Sequence, residues 1–180
     1  MHEIKLYESS CKGLDFVTHS NGKKILKIRE FFIADEDTIV YLSEDKKVFI
    51  GTGSYLGVGC SIGGDTVIGE NCNLARQSTV GFDVTLGRCV ALGGRARVGS
   101  RCNIGDHVHI FKRAKVAGKS TIHKGAKIKS EAKISACCII EDGIIVKKGE
   151  ELSRNRIKSK QGISLIHQSH SADELLSLIM

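Results

Sequence analysis

From Ile50 to Leu152, every sixth residue is Ile, Leu or Val, eighteen times in succession and without an insertion. The register runs Ile50, Leu56, Ile62, Ile68, Leu74, Val80 and onward through Ile140 and Val146. Two residues before each of these positions the side chain is small or β-branched, as at Ser54, Cys60, Thr66, Cys72, Ser78, Val84, Val90, Ala96 and Cys102. Strand alternation sends residues i and i−2 to one side of the chain, so both series line an interior. The residue after the aliphatic is mostly Gly (Gly51, Gly57, Gly63, Gly69, Gly81, Gly87, Gly93, Gly99, Gly105), which reads as room for a sharp turn. A fixed short period of this kind predicts a coil of repeated short strands, in which each turn contacts only its neighbours.

Three regions follow. Residues 1–47 are expected to form a small β-rich cap, with strands where Lys24 to Arg29 and Thr38 to Leu42 alternate and turns at Ser20-Asn21-Gly22 and after Ala34. Residues 48–152 are the repeat. Residues 153–180 form a tail, with a strand expected at Gly162 to Ile166 and a short helix at Leu175 to Met180 behind the capping box Ser171-Ala172-Asp173-Glu174.

Composition sharpens this picture at three points. There is no Trp and aromatics are only 5%, so the core is built from small and branched aliphatics. There is no Pro, which leaves the corners to Gly, Asn and Asp; Asp65, Asp83 and Asp106 are read as turn formers. Seven Cys, four of them (Cys60, Cys72, Cys102, Cys138) in one phase of the repeat, read as reduced packing residues and not a disulfide framework. With no apolar run near the length of a membrane span and no apolar signal segment in MHEIKLYESS, the expectation is a cytoplasmic protein without a span. The large outward residues Phe49, Tyr55, Phe82 and Phe111 are expected to meet the cap, the tail or another subunit.

Charge is concentrated. Residues 112–160 hold fourteen Lys/Arg against five Asp/Glu, out of a formal net charge of +7 for the whole chain. Arg97, Lys115 and Lys133 recur at three periods of the repeat and are followed by Glu151, as Arg95 and Arg113 are by Glu131; the coil of three hexapeptides implied by the resemblance given below stacks each set as one outward column. Two readings compete: a strip that binds phosphates, or a solvated face. No aromatics interleave with these cations, so nucleic acid is not expected. His107 and His109 flank Val108 and are expected outward from one strand, with Cys89 stacked beside His107; they read as surface residues, a zinc cluster or a general base. His123 lies near a corner, out of line with that pair.

The stretches IGENCNLARQSTV, LGRCVALGGRARVG and VGSRCNIGDHVHI resemble the hexapeptide repeat of the left-handed parallel β-helix. In that family three hexapeptides make one triangular coil, which implies six coils of 18 residues here, with the N-terminal β cap and the C-terminal helical tail at either end. Most members are acyltransferases, trimeric, with acyl-coenzyme A bound between neighbouring prisms and a His deprotonating a hydroxyl or amine. The segment Gly105 to Ile110, with Val116 to Lys119, is similar to sugar N- and O-acyltransferases of the sialic-acid type. The resemblance therefore implies a homotrimer that uses acetyl-CoA as co-substrate, with a small-molecule or saccharide acceptor and no metal. Arg95, Arg97, Arg113, Lys115 and Lys133 become candidate cofactor-binding residues, and His107 and His109 candidate catalytic bases. Three departures qualify it. Where those enzymes carry their His-Asp pair the chain reads Ser100-Arg101, no Gly-Val-Pro-Ala-type ending follows Leu152, and no loop interrupts the register. A non-catalytic solenoid that binds other proteins is the alternative. A metal-dependent lyase of the γ-carbonic-anhydrase type lacks its further His residues here.

Overall fold

In the computed structural model, residues 48–166 are described throughout, preceded by the backbone of strands at His2–Leu6, Val17–Thr18, Lys24–Ile28, Ile33–Ala34 and Thr38–Leu42. The expected turn at Ser20-Asn21-Gly22 and the expected helix at Leu175 to Met180 lie outside the described residues.

The eighteen aliphatics build three parallel sheets that enclose one core. Each short strand pairs in parallel with the strand 18 residues later, aliphatic on aliphatic: Leu56 with Leu74 and Leu74 with Leu92, for example. The first face is carried inward by Ile50, Ile68, Leu86, Ile104, Ile122 and Ile140, the second by Leu56 through Val146, the third by Ile62 through Leu152. Every one of these side chains is at most 2% exposed. The small inward series is buried with them, and Ser54, Thr66 and Ser120 donate their hydroxyls to the carbonyls of Gly69, Gly81 and Ser135 in the next coil. The result is an all-β solenoid of about six turns with no helix among the described residues.

The corners work differently from the sequence expectation. The glycine after each aliphatic is not what turns the chain. Three residues after each aliphatic a residue sits in the left-handed region: Gly after Ile50, Leu56, Ile122, Ile140 and Val146, and elsewhere a non-glycine residue with φ between 55° and 65°, among them Asp65, Asn71, Gln77, Asp83, Cys89, Arg95, Arg101 and His107. The left-handed conformation costs an L-residue about 1 kcal/mol. It is offset because the same residue's N–H donates to the preceding coil, as from Asn71 to Thr52 O and from His107 to Arg88 O, both 2.8 Å. The repeat glycines serve close approach: a Cβ at Gly69 would lie 2.4 Å from the Gly87 carbonyl oxygen, and one at Gly51 2.5 Å from the Glu70 nitrogen.

Parallel pairing continues past the regular repeat at both ends. Upstream, Ile28 pairs with Ile50, Ala34 with Leu56 and Val40 with Ile62. Downstream, Arg156–Ser159 joins the first face, with Ile157 on Ile139 and Lys158 on Ile140. The chain then turns back into the antiparallel strand Gly162–Leu165, where a strand was expected. Lys158 thus takes an aliphatic slot and Glu150 a small inward slot, and the two form an ion pair at the end of the core.

Candidate functional site

With a triangular section, the chemistry is distributed over three faces and three edges. Edge one joins the first face to the second, edge two the second to the third, and edge three the third back to the first.

The third face carries the expected column. Arg97 pairs with Lys115, and Lys115 with Lys133. All three are exposed, and Lys133 is held by Glu151 below it. Arg95 and Arg113 stack on edge two, where Arg113 N–H donates to Gly94 O at 3.1 Å and Arg95 Nε to Gln77 Oε1 at 2.8 Å. Among the described residues Arg97, Arg113 and Lys115 have no carboxylate partner. Like charges stacked one strand spacing apart, about 4.8 Å, repel one another and favour a bound anion.

The two histidines are not side by side on one strand, and this corrects the sequence expectation. The strand is His109–Ile110 alone, so His109 is exposed on the second face. His107 occupies the left-handed corner of edge one, with φ 58°, and is exposed there. The reason is the tightness of the coil: two residues suffice to pass from corner to face. His109 lies beside Phe111 (ring centroids 6.2 Å apart, tilted by 53°), whose ring is covered by the Lys129 ammonium 4.3 Å from its centre. Cys89 does stack next to His107 in the edge-one column, and no group of three or more His, Cys, Asp or Glu among the described residues is arranged to hold a metal ion.

Edge one alternates in charge from coil to coil: Glu70, Arg88, Asp106, Lys124, Asp142. Within it Asp106 is committed to Arg88. Its Oδ1 accepts the Arg88 backbone N–H at 2.7 Å and its Oδ2 lies 3.5 Å from the Arg88 guanidinium. That backbone bond, opposed by partial burial and aided by the Arg88 charge, holds the Asp106 carboxyl below the usual carboxylate range. The neighbouring His107 also contributes, more weakly than Arg88, to the lowering of the Asp106 carboxyl.

One cavity was not singled out by the sequence reading. It is a groove of about 770 Å³ along edge three, lined by Phe82, Asp83, Ser100, Arg101, Lys119 and Cys137 among others. Its upper end is acidic and its lower end basic. Ser100 Oγ accepts the Phe82 N–H at 3.1 Å, which braces the wall. Ser100 and Arg101, noted above only as the place of a missing His-Asp pair, therefore sit in the groove itself. The legible signal was the 18-residue spacing of Asp65, Asp83, Arg101 and Lys119, which places them in one column. No described histidine lines this groove.

No protein-family profile matches the sequence, and no curated protein does. Solved structures do. The fold is similar to LpxA, a UDP-N-acetylglucosamine acyltransferase from Bacteroides fragilis 9343, with a TM-score of 0.65 and 16% identity over 78% of this chain. It is also similar to the UDP-N-acetylglucosamine acyltransferase of Francisella novicida, with a TM-score of 0.51 and 16% identity over 78% of this chain. The matches span 60% and 63% of the lengths of those two chains. The stacked hexapeptides, the three parallel sheets and these likenesses together show that the chain has a hexapeptide-repeat, left-handed parallel β-helix fold.

Proposed function

We propose that this chain is an acyltransferase that moves an acyl group, most simply acetyl from acetyl-CoA, to a hydroxyl or amine, and that it works as a homotrimer. The observation that carries the reading is the cationic column Arg97, Lys115, Lys133, exposed and largely free of carboxylates beside the edge-three groove. In each coil the column residue precedes a groove residue by four positions (Arg97 and Arg101, Lys115 and Lys119), so phosphates held by the column lie next to the groove. Arg95 and Arg113 extend the cationic surface across edge two. Coenzyme A supplies an activated thioester; the chain supplies charge for its phosphates and an imidazole for the acceptor's proton. A soluble acceptor such as a sugar fits the likeness to enzymes named for UDP-N-acetylglucosamine.

No described histidine lines the groove, and in this reading a neighbouring copy supplies one. The outward column of the first face from Phe49 through Val67, Thr85, Asn103 and Thr121 carries no charge in a chain that is 26% charged. Turned toward a three-fold axis, this face brings edge one of one protomer against edge three of the next. His107 then meets the groove, while His109 stays on the outer second face. Within that arrangement His107 takes the proton and Arg101 and Lys119 support developing negative charge.

Acetyl-CoA at millimolar concentration is expected to raise the melting temperature by mass action, and less so in Arg97→Ala/Lys115→Ala. Replacing His107 and His109 together with Ala should abolish acetyl transfer with the fold intact, and His109→Ala alone should not. No shift with acetyl-CoA, or turnover that survives the double substitution, would sink the reading. The hydrogen bond and ion pair of Asp106 go to Arg88 and not to His107, which favours the second reading, a non-catalytic solenoid that binds other proteins. A stable complex that survives the His substitutions, with no acetyl-CoA binding, would select it.

A further inference from the structure

A second cavity, of about 360 Å³, lies at the lower end of edge one, away from the groove and the cationic column. Its walls are His123, Glu141 and Asp142 from two successive coils, and Lys160 and Gln161 from the turn of the C-terminal hairpin. Its floor is aliphatic: Ile139, 6% exposed, with Ile157 paired against it in the first face. Nothing in the acyl-transfer reading uses these residues.

The repeat departs from its own rule at this place. In the slot after the first-face aliphatic, four coils in succession keep Gly: Gly51, Gly69, Gly87 and Gly105. At the last of these an added Cβ would lie 2.8 Å from the Lys124 nitrogen in the next coil, and at the other three closer still. The next two coils put His123 and Glu141 in that slot, two large polar side chains that become walls of the cavity. The rim is also built. Ser159 Oγ accepts the Gln161 N–H at 3.1 Å and pairs with Gly162 O at 3.4 Å, so the turn that carries Lys160 and Gln161 is tied to itself. His123 is anchored through its backbone N–H to Ile140 O at 2.8 Å, and its Nδ1 lies 3.9 Å from Asp142 Oδ1. Its side chain is 28% exposed, whereas His107 and His109 are both exposed.

We infer that this cavity is a binding site for a small aliphatic amine. The lining holds two carboxylates, Glu141 and Asp142, and one ammonium, Lys160, a balance that favours a cation over an anion. The isoleucine floor takes the alkyl part of such a ligand, and Gln161 and His123 offer hydrogen bonds to the amine or to a hydroxyl beside it. The volume admits a molecule of that size and is less than half that of the edge-three groove. The inference does not depend on acyl transfer.

The test is a titration of the full ¹⁵N-labelled chain with hexylamine at neutral pH, followed by NMR, with hexanoate and hexanol as controls at matched ionic strength. Saturable shifts at His123, Ile139, Ile157 and Gln161 are expected in the millimolar range with hexylamine, and not with hexanoate. Glu141→Gln/Asp142→Asn should weaken the binding by about tenfold, and Lys160→Ala should not weaken it. Shifts that stay linear, equal binding of hexanoate, or indifference to the double amide substitution would each overturn the proposal. Because the readout is binding, a protein that fails to bind acetyl-CoA still tests it.

Discussion

At the scale of single residues, the phase of the repeat sorts cysteines into two kinds. Cys60, Cys72, Cys102 and Cys138 occupy the small inward slot and are at most 3% exposed. Burial pushes the Cys72 thiol up to about 11, against the opposing pull of a backbone bond, and raises those of Cys102 and Cys138. Their Sγ atoms are used: Cys72 donates to Gly87 O and Cys138 to Ser153 O, both at 3.1 Å. Cys89 and Cys137 stand instead at left-handed corners and are partly exposed. A thiol reagent applied to the native protein is expected to modify Cys89 and Cys137, and the four inward cysteines only after unfolding. Peptide mapping checks this; labelling of Cys72 at the rate of Cys137 would contradict its place in the core. The inward phase was legible from Cys, Ser, Thr and Ala sharing one position. The corner phase was not, because Asn, Gln, Arg, His and Glu all occur there, and no common side chain marks a conformation that backbone hydrogen bonds impose.

At the scale of elements, the end of the solenoid is the informative place. Strand Arg156–Ser159 keeps the parallel register yet puts Lys158 where an aliphatic belongs, opposite Glu150 in a small slot. Partial burial pushes the Glu150 carboxyl up, but the Lys158 hydrogen bond, the Lys147 N–H at 2.8 Å and the two lysine charges outweigh it and hold the group below its ordinary 4.5. A carboxyl lowered on folding stabilises the fold above about pH 4.5, and that contribution is lost as pH falls through the folded value. Lys158→Ile alone strands the Glu150 carboxylate and is expected to cost about 1–3 kcal/mol in urea unfolding. Adding Glu150→Ala restores the repeat's own small and aliphatic pair, recovers most of that loss and flattens the acid limb of the melting curve. Equal destabilisation of the single and double variants would show that the two side chains are not coupled. The periodicity stops reading as a strand at Leu152 because Lys breaks the aliphatic pattern; the strand persists because the open edge of Ile139–Ile140 supplies backbone partners regardless of side chain.

At the scale of the whole molecule, the three faces differ in kind: the first uncharged down to Thr121, the second mixed, the third cationic. An uncharged column on a charged protein is where a second copy is expected to pack. Sedimentation is expected to return a trimer, and Thr85→Arg/Asn103→Arg to return folded monomer with lost acetyl transfer. A wild-type monomer at all concentrations would remove the shared groove from the account. No helix of the described residues is long and apolar enough to cross a membrane. Columns were legible at this scale only once the family resemblance set three hexapeptides to a coil, which makes residues i and i+18 neighbours, and Arg97, Lys115 and Lys133 stack accordingly. The sequence by itself determined the coil and its core, because in a repeat each turn repeats the same local contacts and needs no distant partner. Only the tertiary structure decided which columns are faces and which are edges. Two residues of chain pass from corner to strand, so His107 and His109 part company, His123 joins Asp142 in a cavity, and the groove at Ser100 and Arg101 opens where no motif announced it.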